Sequence, residues 1–271
     1  MDPACGSGSF LIGAYQYLLD WHKDFYNNLD KISKGEKDNP LTPQGELTTN
    51  EKRRILLNNI YGVDLDSNAV EVTKLSLLLK CMEGETRESI ESQTILFHDR
   101  VLPSLDNNIK SGNSLIDLDY YENEIDYGEE RKIKPFSWEK AFPEVFNQGG
   151  FDVVIGNPPY GAELSKEVQS YCLKKYNIGS SDTAQLFMIQ AKNILRKNGY
   201  NGFIIPKSFT YASNWTKTRE KVLDDISIIL DCSKVWKEVK LEMSIYISEN
   251  EKQSNKFISC IRQNTEIIEI G

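Results

Sequence analysis

Two periods of apolar and polar positions alternate along this chain. Short runs rich in β-branched and aromatic residues, several closed by Gly, Pro or Asp, read as strands. They cover residues 60–66, 109–116, Phe151–Gly156, 202–206, 226–230 and 243–248, with 256–262 expected to pair with the last. Between them, apolar residues at i, i+3 and i+4 read as helices. One carries Phe10, Leu11, Ala14, Tyr15, Leu18 and Trp21 after a Gly-Ser-Gly turn. A second carries Val70, Leu75, Leu78 and Leu79, capped by Ser67 or Asn68. A third opens at Asp182 with Gln185 at capping spacing, presents Phe187, Ala191, Ile194 and Leu195, and stops at Gly199. A fourth covers 214–224. Segments 27–50 and 161–181 have little period and read as loops, the first as a loop or insertion, and the charge-rich 117–134 reads as a surface loop or short helix. Strand–helix alternation followed by terminal strands predicts an α/β fold. Its sheet is expected to be mostly parallel, covered on both faces, with an antiparallel pair at one edge. No internal repeat is visible.

The run Phe151-Asp152-Val153-Val154-Ile155-Gly156 ends in Asn157-Pro158-Pro159-Tyr160. Two prolines remove two backbone donors and hold the chain extended, so the strand cannot continue as a paired ladder. The strand gives way to a rigid corner with one amide side chain, one free carbonyl on Pro158 and one ring, Tyr160. An amide oxygen and a carbonyl can together accept both hydrogens of an NH2 group, and a ring beside them can stack on a flat heterocycle. Open α/β folds place ligand chemistry at such carboxyl ends of strands. The corner therefore suits an exocyclic amine on a planar base. Upstream, Gly6 and Gly8 in Asp2-Pro3-Ala4-Cys5-Gly6-Ser7-Gly8-Ser9-Phe10 permit a tight turn and close backbone approach. A glycine turn opening a helix, with a carboxylate such as Asp64 ending the next strand, is a nucleotide-cofactor arrangement. The distance from Gly6 to Asp64 exceeds the usual ~20 residues, and the 27–50 insertion accounts for the excess. Asn113 ends a third strand and either meets an adenine edge or is a turn asparagine.

At 271 residues the chain is long enough for one large α/β domain. No apolar run approaches a membrane-spanning length, and nothing resembles a secretory signal. Five dispersed cysteines without a Cys-x-x-Cys pair argue for reduced thiols in the cytoplasm. With two histidines, His22 and His98, no zinc site is expected. The net charge of −8 is awkward for a protein that grips phosphate. Either the substrate is not nucleic acid, or the main DNA-gripping part lies outside this chain.

With Asp2–Phe10, Asp64-Leu65-Asp66, Gly112-Asn113-Ser114-Leu115 and Asn157-Pro158-Pro159-Tyr160 in hand, the chain resembles the adenine-N6 DNA methyltransferases. The likeness is to the core of large restriction–modification enzymes in which a methyltransferase sits beside a target-recognition domain. It extends through Pro135-Phe136-Ser137-Trp138 and Phe142-Pro143-Glu144-Val145-Phe146. The resemblance implies a Rossmann-like three-layer α/β/α fold of the seven-stranded type that binds S-adenosylmethionine. It implies that Asp2, Ala4, Gly6 and Gly8 surround the cofactor's methionine part, that Asp64 holds the ribose hydroxyls and that Leu65 packs on the adenine. Asn113, where relatives often carry aspartate, would meet the cofactor's adenine amine, with Ser114 beside it. Asn157 and the Pro158 carbonyl, fixed by Pro159, would bind the target amine, and Tyr160 would stack on the flipped base. Trp236 stands where relatives place a second aromatic, although an indole there equally suits a core.

The same resemblance frames residues 1–271 as a single methyltransferase catalytic domain, truncated at its start. A preceding strand and helical region and a following target-recognition domain would belong to the parent protein. Double-stranded DNA and that domain are the expected partners, with a nuclease domain of the parent as a further one. Glu238-Val239-Lys240 has nuclease-like local spacing but no Pro-Asp before it. Two other readings remain open: a protein glutamine methyltransferase, whose substrate amide poses a similar problem, and a catalytically silent fragment that packs against partner subunits.

Overall fold

The computed structural model describes residues 1–29, 39–85, 102–121, 133–179, 182–234, 241–252, 254, 256–263 and 265–271. They form two compact units, one of Met1 and Cys5–Ser111, the other of Asp2–Ala4 and Gly112–Gly271.

In the first unit, α1 (Ser9–Asn27), α2 (Thr49–Asn59) and α3 (Ser67–Cys81) accompany two short strands, β1 (Gly62–Asp64) and β2 (Ile109–Ser111). The strands pair in parallel, Gly62 opposite Ile109 and Asp64 opposite Ser111. The core joins Leu11, Tyr15, Leu19, Ile55, Leu56, Val70, Leu77 and Ile109. Two helix faces differ from expectation. On α1 the buried residues are Leu11, Tyr15 and Leu19, and Trp21 is half exposed, stacked on Phe25. On α3 the buried row is Val70, Thr73, Leu77 and Cys81, while Leu75 and Leu79 face out. The polar Thr73 takes the inward position because its hydroxyl finds an acceptor there. Helix α2 was not expected at all. Its signal is Thr48-x-x-Glu51: the Thr48 side chain accepts from the Glu51 N–H at 3.3 Å. The end of the expected insertion is likewise packed, with Leu41 and Leu47 buried and bridged.

The second unit is built on a six-stranded sheet in the order β3-β4-β6-β5-β7-β8. The strands are β3 (Phe151–Gly156), β4 (Leu195–Pro206), β5 (Ile226–Ser233), β6 (Met243–Glu249), β7 (Ile258–Gln263) and β8 (Glu266–Glu269). β3 and β4 pair in parallel, as do β5 and β7, and β6 runs antiparallel between β4 and β5. Four strands thus run one way and two the other, the mostly parallel α/β sheet that was expected. One pairing is corrected. β7 lies beside β5, not β6, and the antiparallel edge pair is β7 with β8.

Helices α4 (Trp138–Ala141), α5 (Pro143–Phe146), α6 (Lys166–Tyr176), α7 (Thr183–Ile194) and α8 (Thr216–Val222) complete this unit. Helix α6 occupies what reads as a loop. Ser165 caps it, accepting from the Val168 N–H, and Asn177 ends it in the left-handed conformation. Its buried residues Val168, Cys172 and Tyr176 recur at i+4 among Lys166, Glu167, Lys174 and Lys175, which dilute the period. Helix α7 begins at its Asp182 cap, as expected, but is buried almost all round and passes straight into β4 at Leu195. Gly199 therefore lies inside a strand and stops nothing.

Phe151 anchors β3 beneath an aromatic cluster. Its ring meets Phe142 edge-on at 5.5 Å, and Trp138 and Phe146 close the cluster. Replacing Phe151 with Ala should cost about 3–5 kcal/mol, the range for truncating a buried Phe. The next residue supplies a control. Asp152 forms an exposed ion pair with Arg196 at 2.6 Å, and Asp152→Ala should change stability by less than about 1 kcal/mol. Urea unfolding followed by circular dichroism checks both; equal midpoints would contradict the packing described.

Candidate active site

In the first unit the segment that starts at Cys5 folds back on the end of β1. The Cys5 N–H donates to the Val63 carbonyl at 3.0 Å, and the Gly8 N–H to the Cys5 carbonyl at 2.8 Å. The Gly6 N–H donates to Asp64 Oδ2 at 2.7 Å, and Asp64 Oδ1 accepts from the Asp66 N–H at 2.9 Å. Gly6 and Gly8 both have positive φ, 53° and 85°, which disfavours any side chain. Gly8 is doubly constrained, because a Cβ there would stand 2.9 Å from Thr73 Cγ2. A Cβ on Gly6 would meet nothing within 4 Å, so that side of the turn is open. Gly8 is also the N-cap of α1 and supplies no side-chain cap. The first-turn N–H groups and the positive end of the helix dipole are thus available to an anionic ligand. Leu65, next in the chain after Asp64, is half exposed.

Thr73 completes this turn and was not singled out from the sequence. Its hydroxyl donates to the Gly6 carbonyl at 2.8 Å, and the residue is fully buried. The available signal was a threonine in phase with Val70 and Leu77 on an apolar helix face, where a polar group needs a partner.

In the second unit Asp2 is buried, and its Oδ1 accepts from the Ala4 N–H at 3.0 Å. A Cβ on Gly156, the last residue of β3, would lie 2.6 Å from that same oxygen. The bare glycine is what lets a carboxylate rest over the strand end. The Ser114 hydroxyl donates to the Pro3 carbonyl at 2.5 Å and ties this segment down from the other side. Asn113 forms a turn of its own, its Oδ1 accepting from the Leu115 N–H at 3.1 Å and its N–H donating to the Lys134 carbonyl. Gly112 is required beside it, since a Cβ there would strike the Phe136 ring.

The corner after β3 is graded in exposure. Asn157 and Pro159 are exposed, Pro158 is buried and Tyr160 is half-buried. Among the described residues none hydrogen-bonds the Asn157 side chain, so its amide is presented outward with its bonding capacity unused. The Pro159 carbonyl, in contrast, is held by the Thr183 hydroxyl at 2.7 Å. Trp236 and Glu238–Lys240 lie outside the described residues. Cys172 and Cys232 are buried, and burial pushes the Cys172 thiol up to about 11.

The structure thus gathers Gly6, Gly8 and Asp64 in one unit, and Asp2, Ala4, Ser114 and the Asn157–Tyr160 corner in the other. The Eco57I restriction-modification methylase family matches residues 58–235, about two thirds of the chain. This chain belongs to that family. The matched span holds Asp64, Leu65, Asn113, Ser114 and the Asn157–Tyr160 corner. Among curated relatives, the type II restriction enzyme and methyltransferase RM.Eco57I of Escherichia coli is 37% identical over 226 residues, 81% of this chain and 21% of the relative. The adenine-specific methyltransferase PglX of Streptomyces coelicolor is 26% identical over 231 residues, 81% of this chain and 18% of that one. The chain therefore spans about a fifth of the length of these relatives. Among solved structures, the M protein of the type I restriction enzyme EcoKI superposes with a TM-score of 0.57 at 15% identity, over 96% of this chain and 42% of that one. The DrdV–DNA complex superposes with a TM-score of 0.60 at 15% identity, over all of this chain and 27% of that one. These likenesses show that the fold is that of restriction–modification methyltransferases. No helix among the described residues is long and apolar enough to cross a membrane.

Within this family member, Gly156→Ala should displace the Asp2 carboxylate and lower stability by about 1–3 kcal/mol, the usual cost of overpacking. Gly161→Ala offers a contrast, because a Cβ there meets nothing within 4 Å and only the positive φ is strained. Thermal unfolding of the two variants, with a crystal structure of Gly156→Ala, checks this; an unmoved Asp2 at full stability would contradict it.

Proposed function

We propose that this chain is the catalytic core of a site-specific adenine-N6 DNA methyltransferase of a restriction–modification system, using S-adenosylmethionine. The observation that carries the reading is the Asn157 amide, exposed and unbonded among the described residues, at the end of a strand that two prolines terminate. Membership of the methylase family supports it, as does the adenine-specific naming of the Streptomyces relative.

The first unit's residues fit the cofactor. The open face of Gly6 leaves room for a ligand where any other residue would put a side chain. The uncapped start of α1 suits the carboxylate of an amino-acid moiety. Asp64 uses one backbone donor on each oxygen and keeps lone pairs for ribose hydroxyls. Leu65 offers a flat apolar contact to an adenine. When bound, S-adenosylmethionine supplies an electrophilic sulfonium methyl.

The second unit supplies the amine's environment. The lone pair of an adenine amine is delocalised into the ring and is a poor nucleophile. The Asn157 side-chain oxygen and the Pro158 carbonyl accept its two hydrogens and favour a more pyramidal nitrogen with a localised pair. Tyr160 holds the ring by stacking. Positioning and fixed dipoles account for the rate, and no covalent intermediate is needed. An amine inside a duplex is out of reach, so the base leaves the helix, at a cost of roughly a few kcal/mol. We assign sequence recognition and most of the grip on phosphate to parts of the longer protein outside this chain. The net charge of −8 supports that division. A target-recognition domain is the expected partner, along with a nuclease of the kind implied by the relative named as both restriction enzyme and methyltransferase.

In the full-length protein, Asn157→Ala should leave cofactor affinity nearly unchanged and lower single-turnover methyl transfer by at least ~100-fold, the scale for losing one positioned hydrogen bond. Calorimetric titration and rapid quench of labelled transfer measure the two quantities. A near-normal single-turnover rate would remove Asn157 from the reaction.

A further inference from the structure

The corner that carries Asn157 has few free torsions, and the exception is informative. The rings of Pro158 and Pro159 fix φ at both residues. A residue that precedes proline is confined to extended ψ, which restrains Asn157 and Pro158 in turn. The first torsion left free is ψ of Pro159. It sets the plane of the Pro159–Tyr160 peptide and hence the direction in which the Tyr160 ring leaves the backbone. After Tyr160, Gly161 has φ of 66°, and a Cβ there would meet nothing within 4 Å, so Gly161 itself has no side chain to pack against the turn.

The Pro159 carbonyl is where that freedom ends. It accepts from the Thr183 hydroxyl at 2.7 Å across a sequence separation of 24 residues. Thr183 is 3% exposed and is the first residue of α7. The helix start is itself fixed: Asp182 accepts from the Ala184 N–H at 3.0 Å, and Gln185 accepts from the Thr218 hydroxyl at 2.6 Å. The donor therefore sits on a buried helix start, and its acceptor is the carbonyl of the first corner peptide that the proline rings leave free to turn. We infer that Thr183 is a positioning residue for Tyr160, locking the peptide that aims the ring at the substrate base. Its consequence for catalysis rests on the methyltransferase reading above; the conformational lock does not.

The test uses full-length Thr183→Val, which keeps the shape and removes the hydroxyl, and Thr183→Ser, which keeps it. The 19F resonance of 3-fluorotyrosine placed at position 160 should shift and narrow in Thr183→Val and keep its native position and width in Thr183→Ser. With unmethylated plasmid DNA, kcat should fall about tenfold in Thr183→Val, equivalent to about 1.4 kcal/mol and on the scale of one net hydrogen bond. The KM for S-adenosylmethionine should not move, and Thr183→Ser should recover kcat to within about twofold. A purely structural threonine would move both kinetic constants with the melting temperature. A native 19F resonance in Thr183→Val, or a Thr183→Ser protein as impaired as Thr183→Val, would overturn the inference. A wild-type protein that transfers no methyl group to DNA would overturn the methyltransferase reading instead, while the 19F comparison still decides the lock.

Discussion

Two adjacent prolines cannot donate to a β ladder, and the second unit is arranged around that fact. β3 pairs in parallel with β4 until Gly156 reaches Phe203, and there its pairing ends. β4 continues for three further residues to Pro206, roughly 10 Å at the usual rise of a strand. The chain beyond Gly156 is therefore released from the sheet without becoming slack. Other features converge on the same point. Phe151 seats the strand's first residue in an aromatic cluster. The missing side chain of Gly156 admits the Asp2 carboxylate. The Thr183 hydroxyl holds the Pro159 carbonyl. Within this frame Asn157 projects with its amide unbonded by any described residue.

In the proposed function the first unit solves a different problem, that of bringing bare backbone close to a ligand. Two left-handed glycines, a strand-end carboxylate and an uncapped helix start are joined by short hydrogen bonds among Gly6, Asp64 and Thr73. A Cβ at Gly8 would strike Thr73, so the turn has little latitude in sequence. Each part is a weak signal alone. Their assembly around one carboxylate distinguishes a built turn from a loop that happens to contain glycine.

These two places were the most legible parts of the sequence because their physics is local. Gly, Pro and a strand-end Asp constrain their own torsions regardless of what packs around them. Features that depend on distant partners were harder to read. β6 was visible as a strand, but its place between β4 and β5 is set by long-range pairing that its own pattern does not encode. The buried face of α3 runs through Thr73 rather than Leu75 or Leu79, because a hydrogen bond to the Gly6 carbonyl outweighs hydropathy there. Helices α2 and α6 carried capping signals at Thr48 and Ser165 that charged neighbours obscured. Asn113 sits in its own turn, one of the two alternatives its sequence context left open. Ser114 bonds the Pro3 carbonyl, a partner more than a hundred residues away and beyond the reach of pattern reading.

The central claim is that the amide presented after β3 works on the exocyclic amine of adenine. The most direct test is to identify the methylated product. The full-length protein would be incubated with S-adenosylmethionine labelled in its methyl group and with unmethylated DNA. Nucleosides and hydrolysed protein would then be separated and counted. The account predicts that label appears in N6-methyl-2′-deoxyadenosine from the DNA and in no other nucleoside. Label in a methylated cytosine, or in a glutamine of a protein substrate with none in DNA, would contradict it.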